Sequence, residues 1–113
     1  MSENILFHIC TKSDWESAQK EGVYKAKSLE SEGFIHCSTP LQLVDTANLL
    51  FKGQGNLLLL FIDQNKVNAE IKFENTLGGE QLFPHIYGAL NLDAVDHFQA
   101  FEPNSDGYFE ISM

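Results

Sequence analysis

Leu57-Leu58-Leu59-Leu60-Phe61-Ile62 is an unbroken run of six apolar residues, preceded by Gly53 and Gly55 and closed by Asp63-Gln64-Asn65. A bilayer-spanning helix needs about 20 such residues, and no stretch of this chain comes near that. The run reads instead as a buried strand over residues 56–63, with turn-forming residues at each end. The rest of the fold has to be arranged around it.

A second strand is expected at the start of the chain, in Ile5-Leu6-Phe7-His8-Ile9-Cys10. It is mostly apolar and therefore central. Ser13-Asp14-Trp15-Glu16 has the form of a capping box, in which a Ser hydroxyl takes an N–H three residues on and a Glu reaches back. The helix that follows should stop at Gly22 in a left-handed C-cap. Residues 23–31 are polar and irregular.

Residues 33–38 read as a strand. Thr39-Pro40-Leu41-Gln42 is a second capping box, with proline where its missing N–H costs nothing. Leu41, Val44, Asn48 and Leu49 keep a helical period, so a helix is predicted from Thr39-Pro40 to about Phe51. Residues 69–74 alternate as a strand. Residues 75–81 hold Gly78-Gly79 and read as a loop, and residues 83–88 are a short extended piece around Pro84. Val95, Phe98 and Phe101 fit a helical spacing, but the segment is short and aromatic, so residues 94–101 are assigned to strand. A turn at residues 103–107 leads to an edge strand at 108–112. The order predicts one α+β domain, residues 1–113, with a compact mixed, mostly antiparallel sheet and two short helices.

Charge narrows the function classes. Sixteen acidic residues against seven basic ones give a net charge of −9, and there is no arginine. Nucleic-acid binding needs clustered Lys and Arg, and bidentate phosphate clamping needs guanidinium. A small-molecule ligand is expected rather than a nucleic acid or a membrane. The N-terminus carries no basic segment followed by an apolar run. Cys10 and Cys37 alone make no disulfide framework. A cytoplasmic protein with reduced thiols is expected.

Two stretches carry the candidate chemistry, Glu32-Gly33-Phe34-Ile35-His36-Cys37-Ser38 and Phe83-Pro84-His85-Ile86-Tyr87-Gly88. Both place imidazole beside hydroxyl or phenol, and they read as two walls of one pocket. His36 and Ser38 share a strand face because side chains alternate. Residues at i and i+2 on a strand lie about 7 Å apart, too far for a direct Ser–His hydrogen bond. Ser38 either belongs to the helix cap or, with the free N–H groups at Thr39, binds an anion. Cys37 faces the apolar layer opposite His36, with Ile35 assigned to the other side, and reads as an inert core thiol.

His8 sits within the first strand as either a hydrogen-bonded core residue or a site residue. Tyr87 can stack on a flat ring or anchor a turn. Glu74 ends a strand, where a carboxylate can act as base or simply be solvated. Trp15 and Tyr24 supply walls or core, and His97 reads as surface. The candidate set is therefore His36, Glu74 and His85 as catalytic residues, with His8, Ser38 and Tyr87 contacting ligand. The histidine spacing matches no metal motif, and no metal site is assigned.

Taken together, these motifs resemble the family known as the domain of unknown function numbered nine hundred fifty-two. The resemblance is carried by Trp15, Gly22-Val23-Tyr24, Ser28-Leu29, residues 32–38, Gln42, residues 57–63, Glu74, residues 83–88, Leu90 and Ala94-Val95. Ala89 departs from it, standing where the family usually has proline. The resemblance implies a fold similar to that of ADP-ribosyltransferases, which bind NAD in a cleft between two sheet halves. It implies a ribose-binding role for His8, and loosely an aromatic role for Tyr87 and an activating role for Glu74. An NAD- or nucleotide-using transferase-like enzyme is the expected function, working through an oxocarbenium-like centre. The alternatives are a non-catalytic ligand-binding module and a metal-dependent hydrolase using the histidines.

Overall fold

The structure is a computed structural model, which describes residues 4–75 and 81–110. The apolar run forms β4 (Leu57–Asp63), the middle strand of a three-stranded sheet between β1 (Ile5–Thr11) and β8 (Val95–Phe101). Both pairings are antiparallel, with Leu60 opposite His8 on one side and Phe98 on the other. Alternation sends Leu58, Leu60 and Ile62 to one face and Leu57 and Leu59 to the other. Each face has its own core. The first gathers Leu6 and Cys10 of β1, Trp15 and Ala18 of α1 (Lys12–Glu21), Tyr24 of β2 (Val23–Tyr24), Leu90 and Ala94. The second gathers Phe7, Phe101 and Phe109 with Leu43 and Ala47 of α3 (Leu43–Leu50).

A second three-stranded antiparallel sheet runs β3 (Ile35–His36), β6 (Phe83–Tyr87), β5 (Glu70–Glu74). Its apolar face, with Ile35, Cys37 and Ile86, closes the first core. Cys37 lies opposite His36 as expected, but Ile35 shares its core, as residues at i and i+2 on a strand must. The two sheets are joined where Phe7 and Ser38 exchange backbone hydrogen bonds, both 2.8 Å. The remaining pieces are the short α2 (Lys27–Ser31) and β7 (Leu90–Asn91), which pairs with β2. The α+β class and the antiparallel pairing agree with expectation; a third helix is added within residues 23–31. No helix among the described residues is long and apolar enough to cross a membrane.

The helix starts differ from the capping boxes. Thr11, not Ser13, caps α1, its hydroxyl accepting from the Asp14 N–H at 3.1 Å. Lys12 N–H donates to the Asn56 carbonyl at 3.0 Å, so strand pairing runs up to the helix and leaves Ser13 inside it. Gly22 does end α1 in the left-handed region, at φ 89°. The helix predicted to open at Thr39-Pro40 is α3, which begins at Leu43, three residues after Pro40, behind a turn. Half of its expected box forms: Gln42 Oε1 accepts from the Thr39 N–H at 3.0 Å, while its Nε2 donates to the Leu82 carbonyl at 2.8 Å. The Gln42 side chain is thereby shared between the turn and the residue that precedes β6.

Residues 108–110 are not a strand, and the rest of the predicted edge strand, like Gly78-Gly79, lies outside the described residues. Asn48 of α3 stands in for a strand partner. Its Oδ1 accepts from the Phe109 N–H at 2.6 Å and its Nδ2 donates to the Phe109 carbonyl at 3.2 Å. This clamp seats the buried Phe109 ring against Phe101, with centroids 4.7 Å apart. Asn48→Ala leaves the backbone N–H and carbonyl of the buried Phe109 without these partners and is expected to lower stability by about 2 kcal/mol. An unshifted denaturant midpoint, at unchanged m-value, would show that the clamp is idle.

Candidate functional site

The two sheets leave a cleft of about 390 Å³ between them. One wall is Phe7, His8 and Ile9 of β1 with Thr46, Leu50 and Phe51 at and after α3; the other is His36, Cys37 and Ser38 with Phe83 and His85 of β6. The second wall follows from register. His36 is paired with His85, and His85 with Lys72, so alternation puts Phe34, His36 and Ser38, Phe83, His85 and Tyr87, and Lys72 and Glu74 on one face. The opposite face is the apolar one already committed to the core.

His85 is the most constrained group on this face. It is only 1% exposed. Phe34 stacks on its ring at 4.1 Å, nearly parallel, and the His36 ring meets it edge-on at 5.3 Å. Its Nδ1–H donates to Glu74 Oε1 at 3.0 Å, and the Tyr87 hydroxyl donates to the same oxygen at 2.5 Å. Those hydrogen bonds, from Tyr87 first and His85 second, hold the Glu74 carboxyl below its ordinary range, and the carboxylate in turn pushes the Tyr87 phenol up. The His85 Nε2 is buried and has no hydrogen-bond partner among the described residues. With Nδ1 carrying the proton, Nε2 presents a lone pair. Glu74 and Tyr87 stand behind the cleft wall and orient His85.

His36 forms a second pair. Its Nε2–H is shared between the two oxygens of Glu32, each at 3.2 Å. Gly33, at φ 90°, lies in the left-handed region that favours glycine, at the turn that leaves Glu32 beside His36. Both groups are partly exposed and both line the cleft. Glu32 lines the cleft and Phe34 packs on His85, though neither is among the site residues predicted from sequence. The Glu-Gly-x-x-His spacing was the available signal for Glu32. Phe34 carried none, because its stacking partner lies on another strand.

His8 touches the cleft, but both ring nitrogens are committed. Nδ1–H donates to the His36 carbonyl at 2.6 Å, and the Tyr24 hydroxyl donates to Nε2 at 2.7 Å. Burial lowers its pKa to about 4, against the opposing pull of the His36 carbonyl. His8 therefore positions β3 as a neutral imidazole. Tyr24 is buried and its phenol is pushed up, chiefly by burial. Trp15 lies with it in the first core. The Cys10 thiol is pushed up to about 12 by burial, and Cys37 is pushed up for the same reason; both are buried and free.

The anion cradle, one of the two readings for Ser38–Thr39, is not formed. Ser38 N–H is bonded to Phe7 and Thr39 N–H to Gln42, so neither donor is left for a ligand, and α3 opens further along. His97 is exposed and paired with Asp96. Among the described residues no three metal-ligating side chains converge.

The cleft and its two Glu–His pairs belong to a chain whose residues 9–98 match the family described as "Protein of unknown function (DUF952)". The chain belongs to that family. None of the curated proteins matches it. The crystal structure of protein CC0527 from Caulobacter crescentus is similar, with 29% identity and a TM-score of 0.84 over 94% of this chain and 93% of that one. The solution structure of CC0527 gives 29% identity and a TM-score of 0.80 over 96% and 91%.

The His8 geometry has a pH signature. Its pKa is lower folded than unfolded, so at intermediate pH the unfolded chain binds more protons, and stability rises with pH. The contribution is complete above about 6.5 and is lost as pH drops toward about 4, up to roughly 3 kcal/mol in all. His8→Gln should flatten that part of the stability–pH profile. A variant profile parallel to the wild type would contradict the assignment.

Proposed function

We propose that the cleft is a small-molecule site and that His85, oriented by Glu74, is its proton-accepting group. The observation that carries this reading is the buried, unpartnered Nε2 of His85. An unsatisfied buried nitrogen costs about 1–3 kcal/mol, and a fold that could have paired it with a neighbour has not done so. A carboxylate on Nδ1 fixes the tautomer that makes Nε2 basic. Apolar walls from Phe7, Phe51 and Phe83 suit the body of an organic ligand. The buried, reduced thiols suit a cytoplasmic setting, which is part of the same proposal.

The second reading is the NAD-using, ADP-ribosyltransferase-like one. It is favoured by a cleft lying between two antiparallel sheet halves, and fold similarity to those enzymes belongs to this reading. The residues present do not suit the dinucleotide well. No lysine or arginine lines the cleft, the Ser38 and Thr39 backbone N–H groups are spent, and His8, Tyr87 and Glu74 are bonded within the protein.

Histidine-selective nitrogen NMR tests the main proposal. His85 should show a protonated Nδ1 and an unprotonated Nε2 at neutral pH, and Glu74→Gln should redistribute that tautomer. A protonated Nε2 in the wild type would end the proton-acceptor role. Calorimetric titration with NAD and ADP-ribose addresses the second reading, which is dropped if neither saturates at millimolar concentration.

A further inference from the structure

Charge and hydrogen-bonding capacity in the cleft select its ligand more sharply than its shape does. The lining includes one carboxylate, Glu32, and no lysine or arginine. A second carboxylate, Glu74, stands directly behind His85. Lys72 is the cation nearest by register, but its ammonium lies 4.9 Å from the Tyr87 ring centroid and not on the cleft wall. The backbone N–H groups of Ser38 and Thr39, the donors closest to the cleft, are used inside the protein. An anion entering here would lose its water and meet a carboxylate at the mouth, with only the Ser38 and Thr46 hydroxyls to replace its hydration.

The free groups point the opposite way. His85 Nε2 is an acceptor, since Nδ1 holds the proton. The Glu32 carboxylate accepts from His36 through both oxygens and keeps further lone pairs. The Ser38 hydroxyl has no side-chain hydrogen bond among the described residues and can accept as well as donate. Acceptors therefore dominate, set in walls of Phe7, Ile9, Leu50, Phe51 and Phe83.

We propose that the ligand of this cleft is an uncharged or cationic molecule with an apolar body and an N–H group that donates to His85 Nε2, of the amide, amine or N–H heterocycle class, and that anions, phosphates included, are excluded. This rests on the cleft being a ligand site. It goes further by fixing the sign of charge and the direction of the hydrogen bond, and it sets the substrate class apart from phosphate-bearing nucleotides.

Three probes with one ring and three head groups test it: phenylacetamide, phenethylamine and phenylacetate, with inorganic phosphate as a fourth arm. Each is titrated into the full chain and followed by amide NMR shifts. The amide and the amine should give saturable shifts at His85, Ser38 and Phe51, with at least about tenfold tighter binding than phenylacetate, a difference of about 1.4 kcal/mol. His85→Phe should weaken the amide about tenfold or more. Because that variant alters a buried site, Glu32→Gln, at a half-exposed position, serves as the second. It should narrow the gap by raising phenylacetate affinity. Phenylacetate or phosphate binding in the cleft as tightly as the amide would overturn this inference while leaving the cleft a ligand site. So would unchanged amide affinity in a folded His85→Phe protein. No saturable shift from any probe would overturn both the inference and the ligand-site reading.

Discussion

The structure depends on burying β4 on both faces. A strand of leucines exposes apolar side chains up and down alternately, and each face must be covered for its burial to offset the entropy of ordering the chain. Pairing with β1 and β8 satisfies its backbone but covers neither face. Cover comes from α1 and the second sheet on one side, and from α3 with Phe109 on the other. The second sheet and α3 are thereby held on opposite sides of β1. The cleft is the space between them, and β1 forms its floor through Phe7, His8 and Ile9.

That arrangement explains why polar groups gather where they do. The β3–β6–β5 sheet has one apolar face, spent on the first core, so its other face must carry whatever the alternation leaves. Among its polar side chains here are two imidazoles, two hydroxyl-bearing residues, two carboxylates and a lysine. Most of their hydrogen-bonding capacity is met internally: His85 and Tyr87 by Glu74, and His36 by Glu32. His8 threads a third link, tying the Tyr24 hydroxyl in the core to the His36 backbone. A neutral His8 suits this link, because it needs one donor and one acceptor on opposite sides of one ring. Among the imidazoles of this network His85 Nε2 alone is buried without a partner, and such a gap in a largely paired network is where a ligand has something to contribute.

Much of this was legible in the residues. The long strands, the Gly22 stop and the mixed antiparallel class followed from apolar runs, alternation and turn chemistry. Placing His36 and His85 in one site followed from two motifs that each set imidazole beside hydroxyl. The helix starts were misread, because local capping patterns compete with strand pairing and with long-range partners. Thr11 displaced Ser13 where the β1–β4 ladder ended, and Gln42 gave part of its bonding to Leu82, forty residues away. Those partners are invisible to a four-residue pattern.

The sequence by itself determined which residues share a strand face, because alternation is a property of the backbone. His36 and Ser38, His85 and Tyr87, and the core side of Cys37 all follow from it. Only the tertiary structure decided which faces meet. Register between β3, β6 and β5 put Glu74 on His85 rather than in solvent, the turn at Gly33 put Glu32 on His36, and the Phe7–Ser38 link committed His8 to the backbone of its neighbour. These are contacts between side chains brought within 3 Å or so of one another by packing elsewhere. Their roles were fixed by geometry that no local stretch of sequence encodes.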